Sequence, residues 1–322
     1  MMDNIKYSCT SNTVKLFKHL DKLKCLQEGR VIPIMVHTMP THRCQMACVH
    51  CCFKNRKDKT LDMPIDMYIE GVKQFKQLGT RAIEITGGGD PTLYPHINKA
   101  MFDFHSIGIH MGVNTNGLDA QNIELENWGH CDWVRVSMNV FDYYDNIDID
   151  YIKSSGTHIS ACYIWNETSS FEKLKRVFDF CSSEKIPCRI APDCIKPVAE
   201  IDSSIDTIRE MLNSIGESPY IFLSDFNIVT KRNNNFCWIH MIKPCFYTDG
   251  NIYACPSAEL AYENDSQVQM KTYICRYNEV VGFYSSKEAV KPKYIDCSYC
   301  KYVKQQSILE EILMDTTDNE FA

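Results

Sequence analysis

The sequence predicts an α/β fold, a partial (β/α)6 TIM-like barrel followed by a small C-terminal domain built from a β-hairpin and a helix. Two observations carry this expectation. Short apolar runs alternate with stretches of helical periodicity from about residue 31 to 228. Such alternation builds parallel strands joined by right-handed crossovers. About six units are visible, which suits an incomplete barrel better than a closed eight-unit one. The rhythm then stops, and residues 236–304 hold six cysteines without a repeat.

The elements follow in order. Residues 31–38 (VIPIMVHT) are an apolar run of strand length. Residues 64–78 place Ile65, Tyr68, Ile69, Val72, Phe75 and Leu78 at helical spacing, with Gly79 as a stop. Residues 81–86 (RAIEIT) read as a strand that runs into Gly87, Gly88 and Gly89. Further helices are expected at 95–107, 119–128, 142–155, 170–184 and 203–215, and further strands at 109–114, 132–137, 158–164, 187–191 and 220–224. Lys231, Arg232 and three asparagines form a polar linker. The expected organisation is an N-terminal extension (1–30), the barrel (31–230), the cysteine-rich domain (231–314) and a frayed acidic tail (315–322).

Composition narrows the class. The 322 residues include 17 cysteines, an odd number that a closed set of disulfides would not use up. A chain of this length buries a large core without disulfide staples. The first residues are polar rather than signal-like, and no run approaches the ~20 apolar residues of a membrane span. The thiols therefore point to a cytoplasmic, reducing setting and to metal or cluster binding. The net charge of −7 weighs against a nucleic-acid coat, leaving a local basic groove open.

Cys44, Cys48 and Cys51 have the spacing C-x3-C-x2-C in the loop after the first strand. Three thiolates of one loop can hold three irons of a [4Fe–4S] cube and leave the fourth open to a ligand. A structural zinc site instead closes all four positions. Cys52 offers a second spacing, C-x3-C-x3-C.

The chain here resembles the radical S-adenosylmethionine (radical SAM) superfamily, over roughly residues 31–195. Gly87, Gly88, Gly89, Asp90 and Pro91 are similar to the family's Gly-Gly-Glu-Pro segment, whose backbone binds the methionine amino group. Asn114, Thr115, Asn116 and Gly117 resemble its Thr-Asn-Gly turn, and Ser137 with Asn139 resembles its Ser-Leu-Asp segment, where the serine bonds the ribose. Asp90 stands in place of the usual Glu, Asn139 in place of an Asp, and His50 in place of an aromatic. No arginine follows Ser137 closely, and Arg189 is the candidate partner for the SAM carboxylate.

The second cysteine group resembles the twitch auxiliary-cluster half-domain of some radical SAM enzymes. Its pattern is Cys237, Gly250 in a Thr-Asp-Gly-Asn turn, Cys255, and the pair Cys297 and Cys300 opening a helix over 299–313. The larger SPASM version needs cysteines beyond Cys300, and none occurs. The resemblance implies one auxiliary [4Fe–4S] cluster on Cys237, Cys255, Cys297 and Cys300, with Cys245 as the alternative to Cys237. A structural zinc site is the other reading. Most of the remaining cysteines read as small buried hydrophobes, while Cys194 and Cys275 could face the substrate.

The resemblance further implies reductive cleavage of SAM to a 5′-deoxyadenosyl radical and abstraction of hydrogen from an unactivated C–H bond. The auxiliary cluster would accept or relay an electron, and a flavodoxin or ferredoxin would supply one. On position alone His37, Thr38, Asn166, Asp193, Asp225 and Asn227 are pocket-floor candidates, with Asp193 and Asn166 as possible catalytic groups. Tyr163 and Trp165 could stack on adenine or belong to the core. About thirty residues precede the first strand, short for a leader-binding domain, which favours a small-molecule or nucleoside-like substrate. Peptide modification and modification of nucleobases in DNA or RNA are the alternatives. A ferredoxin-like or zinc-stabilised metalloprotein is the non-enzymatic one.

Overall fold

The computed structural model describes residues 13–54, 56–145, 147, 149–194, 196–224, 235–256, 271–295, 300 and 302–313. Asp225, Asn227 and Cys297 lie outside these residues, as do the terminal segments up to 12 and from 314.

The strands in chain order are β1 (Met35–Thr38), β2 (Ala82–Ile85), β3 (His110–Thr115), β4 (Trp133–Ser137), β5 (Ile159–Trp165), β6 (Cys188–Pro192) and β7 (Ile221–Leu223). They are followed by β8 (Phe236–Cys237), β9 (Cys245–Phe246), β10 (Asn251–Tyr253), β11 (Tyr273–Arg276) and β12 (Lys293–Tyr294). The helices are α1 (Leu20–Gln27), α2 (Ile65–Leu78), α3 (Ile97–Ser106), α4 (Leu125–Gly129), α5 (Asp150–Ser154), α6 (Phe171–Ser183), α7 (Val198–Ile215), α8 (Val280–Tyr284) and α9 (Val303–Leu313). The first seven strands lie side by side in sequence order, all parallel, as the alternation of strand and helix requires.

Local chemistry explains the boundaries. Residues 31–34 do not join the ladder, because Pro33 lacks a donor; Ile34 and Met35 instead donate their N–H groups to the Ile242 carbonyl at 3.0 and 3.2 Å. Along α2 the expected face is the buried one: Tyr68, Ile69, Val72 and Phe75. Gly79 ends this helix at φ 99°, a left-handed cap that suits glycine. The α6 start is capped by Ser170, which accepts from the Lys173 N–H. Helix α7 begins at Val198, earlier than the expected 203, since Pro197 presets its first turn.

Two expected helices are shorter than read. The 119–128 segment is a 3-10 turn (Ala120–Asn122) followed by α4, and the 142–155 segment keeps only α5. The latter is dense in Asp and Asn, whose side chains compete with helical hydrogen bonding. Helix α9 starts at Val303, inside the expected 299–313.

The expected hairpin forms, with β9 and β10 antiparallel and Gly250 at φ 83° in the turn. It does more than was expected. Strand β9 also pairs in parallel with β1, placing Cys245 beside His37 and Phe246 beside Thr38. The hairpin therefore extends the barrel sheet, whose order is β11-β10-β9-β1-β2-β3-β4-β5-β6-β7. Gly71 allows this: a Cβ there would stand 2.3 Å from the Phe246 ring. Among the described residues no helix is long and apolar enough to cross a membrane.

Candidate active site

A cavity of about 410 Å³ opens at the C-terminal ends of the barrel strands. Cys44, Cys48, Cys51 and Cys52 reach it from the loop after β1, Gly87, Gly89 and Asp90 from the turn after β2, Asn114 and Asn116 from β3 and its exit, Ser137 from β4 and Arg189 from β6. Parallel strands all point their C-terminal ends the same way, so residues far apart in the chain share one rim.

The cysteine loop is clamped at both ends. Thr41 donates to Asp62 at 2.6 Å, Arg43 pairs with Asp62 at 2.8 Å, and Arg56 donates to the His42 carbonyl at 2.9 Å. Against it lies the glycine turn. Gly89 donates its N–H to the Thr41 carbonyl at 2.8 Å, and Asp90 its N–H to the Arg43 carbonyl at 2.7 Å. Gly88 does not face the cavity; a Cβ on it would meet the His42 ring at 2.5 Å.

Burial holds the Cys48 thiol up at about 12, reinforced by the neighbouring Cys51 and Cys44. Burial likewise raises the Cys44 thiol. Three thiols on one cavity wall are a donor set for a soft cationic centre, which reverses the penalty on Cys44 and Cys48. Among the described residues no three His, Cys, Asp or Glu side chains close on a single-ion position.

Asp90 turns inward rather than outward. Its carboxylate accepts from the Thr92 N–H and hydroxyl, from the Thr115 hydroxyl and from the Asn116 N–H, at 2.7–3.1 Å. It is buried, and it ties the turn after β2 to the exit of β3. Asn116 then reaches Cys44 Sγ at 3.9 Å and the Gln45 side-chain oxygen at 3.1 Å.

Several sequence candidates lie off the cavity wall. Asn139 is buried and pins β5, accepting from the Ile164 N–H and donating to its carbonyl, both at 2.8 Å. Asn166 closes the turn after β5 by accepting from the Thr168 N–H and hydroxyl. Asp193 is buried beside it, its N–H on the Trp165 carbonyl. Thr38 is engaged with the Tyr68 hydroxyl at 2.6 Å. Tyr163 is core, its hydroxyl donating to the Asp142 carboxylate at 2.8 Å and lying 3.0 Å from the Ser169 hydroxyl, and Trp165 packs on the core from its edge. His37 does reach the cavity.

The cavity also holds charged residues that the motifs did not single out. Glu84 of β2, Arg135 of β4 and Lys243 of the segment before β9 line it together with Arg189. Burial opposes ionisation of Glu84, yet His37, Lys243 and Arg135, with the Asn114 amide donating at 2.6 Å, hold it down at about 2. A signal was present: Glu84 and Arg135 are charged residues in the middle of short apolar strands, where an unpartnered charge is costly.

The second cysteine group borders the cavity through Pro256 and Tyr302. Cys237 is buried and accepts from the Gln306 amide at 3.3 Å, and Cys300 accepts from the Tyr302 N–H at 3.3 Å. Cys255 is half-buried. Cys245 packs with Met39, Tyr247 and Tyr253, its sulfur 3.8 Å from the Met39 sulfur.

The family model "Radical SAM superfamily" matches residues 38–191. The chain is 27% identical over 122 residues to an S-adenosylmethionine-dependent nucleotide dehydratase of a Thermoplasmatales archaeon, a match covering 36% of this chain and 41% of that protein. It is 28% identical over 113 residues to a tungsten-containing aldehyde ferredoxin oxidoreductase cofactor-modifying protein of Pyrococcus furiosus, covering 33% and 31%. The chain thus spans less than half the length of these curated relatives. In fold it is similar to Streptococcus suis SuiB bound to the precursor peptide SuiA, with TM-score 0.56 and 15% identity over 85% of this chain and 69% of that one. It is also similar to anSMEcpe with bound AdoMet, with TM-score 0.50 and 12% identity over 84% and 87%. Residues 38–191 thus form a radical SAM domain, in which the cysteine loop, the glycine turn and the strand exits are gathered on one cavity.

Proposed function

We propose that the enzyme binds SAM and a [4Fe–4S] cluster at Cys44, Cys48 and Cys51 and removes hydrogen from a small-molecule or nucleoside-like substrate, assisted by a second [4Fe–4S] cluster. One observation carries this reading. The three loop thiols, the glycine turn, Asn114, Asn116 and Ser137 line the same cavity. When bound, the cluster supplies the electron that cleaves SAM to methionine and a 5′-deoxyadenosyl radical.

The residues have separate tasks. Cys44, Cys48 and Cys51 hold the cluster. The backbone at Gly87 and Gly89 receives the methionine amino group, and the carboxylate of Asp90 keeps that turn rigid from behind. Ser137 meets the ribose, and Arg189 the methionine carboxylate. Asn139, Asn166 and Asp193, lying off the cavity wall, act on the scaffold rather than the ligand.

The auxiliary cluster is assigned to Cys237, Cys255, Cys297 and Cys300, within an auxiliary domain over 231–314 that follows a barrel over 31–230. The burial of Cys245 among Met39 and two tyrosines supports Cys237 as the ligand. Pro256 and Tyr302 on the cavity wall support a cluster close enough to exchange electrons with substrate. A flavodoxin or ferredoxin would deliver the electron in a reducing cytoplasm. The relative named a nucleotide dehydratase supports the nucleoside-like substrate.

Anaerobic reconstitution with iron, sulfide, reductant and SAM tests the reading. The wild type should release 5′-deoxyadenosine and carry about eight irons per chain, four for each cube. The Cys44→Ala/Cys48→Ala/Cys51→Ala variant should release none. Equal product from both proteins would sink the proposal, and zinc without sulfide would sink its second cluster.

A further inference from the structure

The segment that carries the loop thiols is basic, although the chain as a whole is acidic. Residues 43–60 hold Arg43, Lys54, Arg56, Lys57 and Lys59 against a single carboxylate, Asp58, in a chain of net charge −7. Two of these cations serve the loop's own architecture. Arg43 pairs with Asp62, and Arg56 donates to the His42 and Phe53 carbonyls. Lys54, Lys57 and Lys59 are exposed, and among the described residues they enter no ion pair. The Asp58 carboxylate is turned to the Thr60 N–H and hydroxyl, at 2.8 and 2.7 Å. Elsewhere on the surface Lys99, Lys175 and Lys291 each meet a carboxylate of their own helix or turn.

The three lysines are carried on a braced segment next to the thiols. The Lys54 N–H donates to the Cys51 carbonyl at 3.1 Å, and the preceding Phe53 lines the cavity. The Asp58 carbonyl lies 2.7 Å from His42 Nδ1, and the Thr41 hydroxyl closes on Asp62 at 2.6 Å. Residues 54–62 are thereby folded back onto residues 41–43. A segment fixed in this way loses little further backbone freedom when a partner docks on it.

The thiol loop itself is open to approach. Ala47, between Cys44 and Cys48, is exposed and presents only a methyl group. Tyr143 is 42% exposed, and its hydroxyl accepts from the Val49 N–H at 3.3 Å. Asp145, the exposed carboxylate near that tyrosine in the chain, is paired with Arg176. The loop thus offers a small uncharged centre with an aromatic residue and cations beside it, the make-up of an interface core and its rim.

We propose that Lys54, Lys57 and Lys59, with Ala47 and Tyr143, form the docking face for an acidic one-electron carrier protein. This rests on the radical SAM reading above and names where its electron enters. The reduced carrier loses one electron and the oxidised cube on Cys44, Cys48 and Cys51 gains it. Exposed like charges of this kind steer a protein of opposite charge and make its association sensitive to salt. A small anion would instead need convergent, buried donors. A nucleic acid would need a longer basic track than one loop of an acidic chain supplies.

The test uses the reconstituted holoenzyme and a purified acidic flavodoxin. Oxidised flavodoxin, which has no electron to give, is titrated first, at low and at physiological salt. The wild type should bind it, and salt should weaken the complex. Lys54→Gln/Lys57→Gln/Lys59→Gln should weaken binding about tenfold, the combined loss expected for three exposed ion pairs. Lys99→Gln/Lys175→Gln/Lys291→Gln removes the same charge elsewhere and should bind as the wild type does. Reduced flavodoxin then drives release of 5′-deoxyadenosine. The loop variant should need more flavodoxin for its half-maximal rate, by the factor seen in binding. Photoreduced 5-deazariboflavin, a small uncharged reductant, should drive the wild type and the loop variant equally. Iron per chain checks that the loop variant keeps its cube, and Lys59→Gln alone, the substitution farthest from Cys51 in the chain, serves if it does not. Four outcomes overturn the proposal. Flavodoxin does not bind the wild type; the loop variant binds it unchanged; both triple variants weaken it equally; or the loop variant loses a single-stranded oligonucleotide while keeping flavodoxin. No 5′-deoxyadenosine from the wild type with deazariboflavin would remove the radical reading, and lysine-dependent flavodoxin binding would still leave the docking face standing.

Discussion

Gly89 and Arg43 meet backbone to backbone: a Cβ on Gly89 would stand 1.9 Å from the Arg43 carbonyl oxygen. The adjacent Asp90 N–H donates to that same oxygen at 2.7 Å. The turn after β2 is thus the shelf on which the cysteine loop rests. The glycine at this position serves the approach of two loops.

Gly89→Ala should therefore displace the cysteine loop. Overpacking of this kind costs about 1–3 kcal/mol, readable as a lower urea midpoint. Iron bound per chain should fall with it. Wild-type iron content in a folded Gly89→Ala protein would show that the loop does not depend on this contact.

Asp90→Ala should destabilise more than its size suggests, because the Thr92 and Asn116 N–H groups would be left buried without acceptors. Each such loss costs about 1–3 kcal/mol. Asp90→Asn keeps one acceptor and should lose less. The outcome that contradicts a bracing role is Asp90→Asn with unchanged stability and a raised KM for SAM, which would make Asp90 a direct ligand of the amino group.

The two candidate auxiliary thiols should separate by metal content. Cys237→Ser should lose about four irons, one cube. Cys245→Ser should keep them and lose stability instead, since it buries a hydroxyl among Met39, Tyr247 and Tyr253. Iron loss in Cys245→Ser with iron retained in Cys237→Ser would reverse the assignment.

His240 sets an acid limit on stability. Burial lowers it from its ordinary 6.5 to about 4, although its ring contacts the Lys291 carbonyl. Between those two values the unfolded chain carries the proton and the folded one does not. Stability should therefore decline as pH falls from 6.5 towards 4, by up to about 1.4 kcal/mol per pH unit from this residue. His240→Gln should flatten that part of the stability curve, measured by denaturant unfolding at a series of pH values. An unaltered slope would assign the acid sensitivity elsewhere.

Local pattern alone determined much of this protein. The order of strands β1 to β7, the buried face of α2, the hairpin turn at Gly250 and the thiol-bearing loop were all legible, because periodicity, turn chemistry and cysteine spacing act over a few residues. The tertiary structure alone decided the rest. It turned Asp90 inward, and it took Asn139 and Asn166 into backbone pinning. It drew the hairpin onto β1 and packed Cys245 among Met39, Tyr247 and Tyr253. It also gathered Glu84, Arg135, Arg189 and Lys243 around one floor. Those residues are separated by up to 159 positions along the chain. Only the parallel register of the strands, and the closure of β9 against β1, brings their charges within reach of one another.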